Sequence, residues 1–314
     1  MYKKWVLLTL TICSALGLFP PVGSTWAGQT VLVSTFPIYQ IVRNVTRERE
    51  GMRVDLMLPS QMGCTHNYTL TPQDMHKLAK ADLLVINGHG MEEFLGAPVK
   101  KANPEIRVLD SSTGIQEVLQ YPGDQVHGHT EPGRHDEGHE HHGVNPHLFV
   151  SPRMTARIAL NIAAELSKID PDGAAIYFKN AQLYAETINK LAEDMAALGR
   201  RLKNKRIVQP HGIFDYLARD MGLEIVGVVR THGQEPSVAE MMQLIKIMKE
   251  KGAGAIFTEP QYPEKTGATL AQEAGIPVAL LDPAATGPED APLTHYEMVM
   301  RRNMKIFESV LGTK

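Results

Sequence analysis

An uninterrupted amphipathic stretch near the middle of the chain most limits the folds that this sequence can adopt. Residues 172–202 include no proline, and apolar residues recur there at spacings of three and four: Ala181, Tyr184, Ile188, Leu191, Met195, Leu198 and Leu202. A helix of this length would measure about 45 Å at 1.5 Å per residue, which is longer than one small domain. We therefore expect a rigid helix that crosses two lobes rather than a core helix of a single domain.

Short apolar runs typical of strands lie on both sides of this helix, four before it and four after it. They are Val31–Phe36, Arg53–Leu58, Asp82–Asn87, Arg107–Leu109, Arg206–Gln209, Leu223–Val229, Gly254–Thr258 and Ile276–Leu281. Amphipathic stretches alternate with them, as in α/β proteins. The sequence predicts an α/β fold of two similar lobes, 28–170 and 203–314, joined by a linking helix over 171–202. Each lobe would hold a small, mainly parallel four-stranded sheet flanked by helices.

The N-terminus has the pattern of an export signal. Lys3 and Lys4 precede an apolar stretch, Trp5–Phe19, and small residues then lead to a plausible cleavage site after Ala27. The apolar stretch is too short to span a bilayer comfortably, so we expect a cleaved signal peptide over 1–27 and a periplasmic protein, with an uncleaved anchor as the alternative. The mature chain would then retain Cys64 as its one cysteine and could form no internal disulfide.

A histidine-rich segment interrupts the first lobe at 121–143. It contains almost no apolar residue, which predicts a disordered loop, and six of the chain's histidines: His127, His129, His135, His139, His141 and His142. Tracts of this kind bind metals weakly and in several ways, so we favour metal capture over a solvated loop without function.

Other polar residues stand where ligands gather in open α/β sheets, beyond the carboxyl ends of the strands. His66, His211, Glu259 and Asp282 follow predicted strands, and His147 ends the histidine-rich segment. Each has an ordinary explanation on its own, but His66 and His147 come from the first half while His211 and Asp282 come from the second. Three imidazoles and one carboxylate make a tetrahedral shell that suits zinc, whereas manganese prefers more carboxylate oxygens. Copper and nickel also bind such ligands well.

Four motifs resemble those of the cluster A-I (cluster 9) periplasmic metal-binding proteins of ABC transporters, in their zinc-specific branch. They are GCTHNYTLTPQDMHKLAKADLLVINGHGMEEFL (63–95), NPHLFVSPRM (145–154), QPHGIFDYLARDMGLEIVGV (209–228) and FTEPQYPEKTGATLAQEAGIPVALLDPAATG (257–287). The match spans almost the whole mature chain and includes the histidine-rich segment between the first two motifs.

The resemblance implies a C-clamp of two lobes without a large hinge motion. It also implies that Zn(II) is a transported ligand, held by His66, His147 and His211 with Asp282 as the fourth ligand and delivered to a membrane permease. Thr65 stands where some zinc-branch members have a glutamate, so Asp282, water or Cys64 remain alternatives for the last position. Asn145, where many relatives have aspartate, can still hydrogen-bond behind a ligand.

Composition and motifs separate three classes of function. A net charge of −3 offers no basic field for nucleic acid, and we expect a monomer. A zinc hydrolase with Glu259 as base is the first alternative to a receptor, but the chain has neither a HExxH helix pairing nor a nucleophile elbow. A surface adhesin that merely holds metal is the second alternative. We expect a non-enzymatic receptor.

Overall fold

The computed structural model describes residues 28–63, 65, 68–120, 143–230, 235–261 and 265–313. Eight strands are present within these ranges, close to the predicted positions: β1 (Gln29–Val33), β2 (Met52–Leu56), β3 (Leu83–Ile86), β4 (Arg107–Asp110), β5 (Arg206–Gln209), β6 (Glu224–Val228), β7 (Ala255–Thr258) and β8 (Val278–Leu280). They form two four-stranded sheets with the orders β2-β1-β3-β4 and β6-β5-β7-β8, and every pairing is parallel. The predicted two-lobe α/β fold is confirmed.

The helices alternate with the strands. They are α1 (Phe36–Thr46), α2 (Pro72–Lys80), α3 (Gly96–Ala102), α4 (Pro152–Ile169), α5 (Ala174–Arg201), α6 (Asp215–Met221), α7 (Val238–Lys251), α8 (Lys265–Ala274) and α9 (His295–Leu311). Local chemistry starts several of them: the hydroxyls of Thr71, Ser151 and Ser237 accept hydrogen bonds from the first-turn amides of α2, α4 and α7. In the described part of the chain, no helix is both long and apolar enough to cross a membrane.

The long helix α5 contributes to the cores of both lobes, as expected from its apolar stripe. Tyr177 and Ala181 pack with residues of the first sheet and of α1 and α4. Further along, Ile188, Leu191 and Leu198 pack with α6, α9 and the second sheet. Because one rigid helix is buried in two hydrophobic cores, a change in the angle between the lobes would disrupt packing in both.

The lobes also share core residues directly. Tyr216 of α6 is completely buried among apolar side chains of the first lobe. Phe149 and Val150, from the first lobe, pack in the core of the second. This mutual burial favours a fixed relation between the lobes.

Candidate metal site

The strand order of the second lobe brings His211 and Glu259 together. β5 and β7 are neighbours at the centre of that sheet, and His211 and Glu259 follow their carboxyl ends. This is the position at which successive connections leave to opposite sides of the sheet, where ligands of open α/β proteins bind. Nδ1 of His211 lies 2.9 Å from Oε1 of Glu259, whose side chain is 1% exposed.

His147 reaches the same region from the first lobe. It directly precedes a short 3₁₀ turn, Leu148–Val150, and is completely buried. Its backbone amide donates to Oδ1 of Asn145 at 3.0 Å, and its ring Nδ1 lies 2.8 Å from the same oxygen. The ring centroids of His147 and His211 are 5.3 Å apart, so the two lobes present their imidazoles to one another.

Asn145 fixes the orientation of His147 through contacts with the opposite lobe. Its Nδ2 donates to the carbonyl of Gly212 at 2.6 Å and to Oδ2 of Asp215 at 2.9 Å. With the amide nitrogen committed to two acceptors, Oδ1 must face His147 as an acceptor. Nδ1 of His147 is therefore the protonated nitrogen of the neutral ring, and the lone pair is on Nε2.

Asp215 is a partly buried acceptor that Asn145 and Gln209 share. Its Oδ1 also accepts from Nε2 of Gln209 at 2.6 Å, and Oε1 of Gln209 accepts from the amide of Phe214. Burial raises the pKa of Asp215, while the donors from Gln209 and Asn145 oppose that shift by stabilising its charge. The polar groups beneath the two histidines thus form a connected set with fixed donors and acceptors.

The same reasoning applies to the ring of His211. Nδ1 of His211 faces Oε1 of Glu259, and the tautomer that suits this contact has the proton on Nδ1 and the lone pair on Nε2. A histidine oriented by a carboxylate or an amide oxygen is the usual arrangement of a metal ligand in proteins. The sequence predicts that Glu259 is an acid at the end of a strand, but it does not indicate the contact with His211, because that contact depends on the order of the strands in the sheet.

Asp282 follows β8 at the edge of the second sheet. β7 separates β8 from β5, so strand ends bearing Asp282 and His211 are about 10 Å apart before side chains are considered. Oδ1 of Asp282 accepts from the amide of Ala284 at 2.8 Å, and burial raises the pKa of the carboxyl. Among the described residues no group of three or more His, Cys, Asp or Glu side chains could hold a metal ion. Asp282 therefore stays a predicted ligand.

His66 and Cys64 lie outside the described residues, as do residues 121–142 of the histidine-rich segment and the signal region 1–27. Thr65, between them, is 3% exposed, and its hydroxyl donates to the carbonyl of Met91 at 3.4 Å. The predicted roles of His66, of Cys64 and of the histidine-rich segment remain predictions.

A buried carboxyl group in the first lobe occupies the place that corresponds to the His211–Glu259 contact in the second. Glu92 is 7% exposed, and its Oε1 accepts from the Ser34 hydroxyl at 2.6 Å and from the Asn87 amide at 2.7 Å. Ser34 and Asn87 follow β1 and β3, the central strands of the first sheet. Nδ2 of Asn87 donates to the carbonyl of Pro146 at 3.0 Å, immediately before His147. Nothing in the hydrophobic pattern distinguished Glu92 from a surface acid.

The remaining described histidines differ in their surroundings. His76 is exposed on α2, as expected. His89 adopts a left-handed backbone (φ 50°), and burial lowers its pKa. His295 is the first residue of α9, and its ring meets Phe36 edge-on at 5.5 Å. The structure thus brings together His147 and His211, with Asn145 and Glu259 behind them.

Comparisons with known proteins identify the family of the chain. Residues 31–310 match the family model described as zinc-uptake complex component A, periplasmic. The chain is 30% identical over 292 residues to the high-affinity zinc uptake system protein ZnuA of Bacillus subtilis (strain 168), covering 90% of this chain and 89% of that protein. It is 29% identical to the zinc-binding protein AdcA of Streptococcus pyogenes serotype M1, covering 88% of this chain but 55% of AdcA.

A solved structure shows the same fold. The crystal structure of a zinc-bound ZnuA deletion mutant superposes with a TM-score of 0.75 at 25% sequence identity, covering 91% of this chain and 99% of that one. The resemblance inferred from the four motifs is confirmed: the chain belongs to the family of periplasmic zinc-uptake complex component A.

Proposed function

We propose that this protein is the high-affinity zinc receptor of an ABC import system, and that it binds Zn(II) between its lobes. His66, His147 and His211 supply three nitrogen ligands, and Asp282 supplies the fourth ligand. The observation that carries the proposal is the pairing of His147 and His211 across the lobes, with Nδ1 of His147 2.8 Å from Oδ1 of Asn145 and Nδ1 of His211 2.9 Å from Oε1 of Glu259. Oxygens placed against Nδ1 suit imidazoles that bind a metal through Nε2. Neutral imidazoles in this tautomer suit zinc.

The position of Glu259 against His211 favours zinc binding over zinc-dependent catalysis. A hydrolytic zinc site needs an open coordination position and a base that can reach the bound water. Glu259 is buried against Nδ1 of His211, on the side of the ring away from the metal-binding nitrogen. Its contact orients a ligand, and a fourth protein ligand would close the shell.

A zinc titration against a competing chelator tests the proposal. The protein would be metal-stripped and lack residues 122–143, which removes the six histidines of the histidine-rich segment but keeps Gln120 and Val144, which form an antiparallel bridge. We expect one tight site, severely weakened in His211→Ala and unchanged in His76→Ala, which removes an exposed histidine. A tight site indifferent to His211, or none at all, would contradict the proposal.

Two further assays separate the alternatives. Turnover of activated esters or phosphates that disappears in His211→Ala would favour the hydrolase. Growth under zinc limitation distinguishes a receptor from an adhesin, because deleting a receptor creates a requirement for added zinc. Export to the periplasm, action as a monomer and delivery to a membrane permease belong to the same proposal.

A further inference from the structure

The hydroxyl of Tyr216, a residue of the second lobe, forms hydrogen bonds with residues on both sides of the histidine-rich segment. Its hydroxyl accepts a hydrogen bond from the amide of Leu119 at 2.9 Å and donates one to the carbonyl of Asn145 at 2.8 Å. Leu119 precedes the segment and Asn145 follows it, and the amide of Asn145 donates to the carbonyl of Leu119 at 2.7 Å. One side-chain oxygen therefore bonds to the residues that flank the segment, which also pair with each other through the bridge between Gln120 and Val144.

The packing of the Tyr216 ring fixes the position of its hydroxyl. The Tyr216 side chain is completely buried, on a helix anchored in the second lobe. The guanidinium of Arg219 lies 5.2 Å from the centre of the Tyr216 ring, and its Nη1 donates to the carbonyl of Glu117 at 3.1 Å. Because the buried ring has little freedom to move, its hydroxyl keeps a fixed position relative to Leu119 and Asn145.

Asn145 connects this hydroxyl to the metal site. Its main-chain carbonyl is held by Tyr216, and its side-chain oxygen faces Nδ1 of His147. A shift of the Asn145 backbone would move the oxygen that sets the tautomer and the direction of the His147 ring. Partners behind a metal ligand alter affinity about 10- to 100-fold when removed.

We propose that Tyr216 is a positioning residue for zinc binding, which acts through Asn145 to hold His147 in its metal-binding orientation where the histidine-rich segment joins the first lobe. The inference rests on the proposed zinc site. Tyr216 does not touch the metal; it fixes the hydrogen-bonded backbone from which one ligand is oriented. A residue of the second lobe thereby orients a metal ligand that belongs to the first lobe.

The test compares Tyr216→Phe with Tyr296→Phe in chelator-competition titrations. Tyr296 is a matched control because its buried hydroxyl also donates across the lobes to a main-chain carbonyl, that of Val150 at 3.4 Å. We expect about ten-fold weaker zinc binding in Tyr216→Phe, at the lower end of the range for such partners, and a smaller change in Tyr296→Phe. In an Asn145→Ala background, adding Tyr216→Phe should change affinity little, because the connection is already broken.

Two spectroscopic readouts separate positioning from general loss of stability. Nitrogen-15 NMR of metal-free protein should show the Nδ1-protonated tautomer of His147 and a mixture of tautomers in Tyr216→Phe. In the unaltered protein, the Leu119 amide should exchange with solvent more slowly once zinc binds, a measurement that needs no variant to fold. Equal affinity losses in the two phenylalanine variants, an unchanged tautomer, or Leu119 exchange indifferent to zinc would overturn the inference. Absence of a tight site in the unaltered protein would instead refute the proposed function.

Discussion

His211 and Glu259 meet at 2.9 Å although they follow different strands, β5 and β7, of the second lobe. The contact results from the sheet order, which makes these two strands neighbours. In the proposed zinc site this contact would make Glu259 a support for the ligand His211, because a buried acid against Nδ1 of an imidazole raises its basicity as a ligand and fixes its tautomer.

The role of Glu259 can be tested by two substitutions of different severity. Glu259→Gln keeps an oxygen that can accept from Nδ1 of His211, so we expect a modest loss of zinc affinity. Glu259→Ala removes the acceptor and should weaken binding about 10- to 100-fold. Chelator competition at constant pH measures both, and an alanine variant that binds as tightly as the glutamine variant would show that the contact does not support the ligand.

Asp282 can be tested as the fourth ligand by comparing Asp282→Asn with Asp290→Asn. Asp290 is exposed in the same connection between β8 and α9, so its substitution controls for loss of one negative charge. If Asp282 coordinates zinc, affinity should fall at least ten-fold in Asp282→Asn and stay unchanged in Asp290→Asn. Equal affinities would assign the fourth position to water or Cys64, and Cys64→Ser would then distinguish these two.

The elements of the fold could be predicted because their signals are local. Apolar runs placed all eight strands, and the three- and four-residue spacing placed the long helix at nearly its observed bounds. His211 and Asp282 are candidate ligands because they follow predicted strands, and His147 is a candidate because it ends the histidine-rich segment. The order of strands within a sheet depends on crossover connections between distant segments, so the sequence did not indicate that Glu259 would contact His211. The burial of Glu92 and the contacts of Tyr216 with Leu119 and Asn145 likewise depend on tertiary packing.

Because α5 and α6 pack closely at Gly199, we expect a larger side chain there to lower the free energy of unfolding. A methyl group added at Gly199 of α5 would lie 1.9 Å from the carbonyl oxygen of Met221, a backbone atom that cannot move independently. We expect Gly199→Ala to lower the free energy of unfolding by about 1–3 kcal/mol or more, despite alanine's higher helix propensity. Gly96→Ala is the control, since nothing lies within 4 Å of the added atom. Denaturant unfolding measures both, and equal stabilities would show that the helices separate without cost.

Because the pKa of Glu92 is raised in the fold, we expect the stability of the fold to depend on pH. Burial raises its pKa to about 7, with a smaller contribution from the charge of Asp110, although the Ser34 hydroxyl and two backbone amides favour the charged form. The unfolded chain should release this proton near the ordinary value of 4.5. Between these values the folded state binds more protons than the unfolded state, so this contribution to stability is complete below pH 4.5 and is lost as pH rises through 7.

Glu92→Gln isolates this contribution from the titration of the histidines, which is common to both proteins. Glutamine keeps one oxygen for the Ser34 hydroxyl or the Asn87 amide but cannot ionise. Relative to Glu92→Gln, the unaltered metal-free protein should therefore lose stability as pH rises from 5 to about 8. Denaturant unfolding at several pH values measures the difference. A difference between the two proteins that is constant over this range would mean that Glu92 ionises in the fold as it does in the unfolded chain. The three hydrogen bonds to its carboxylate would then lower the pKa of Glu92 by as much as burial raises it.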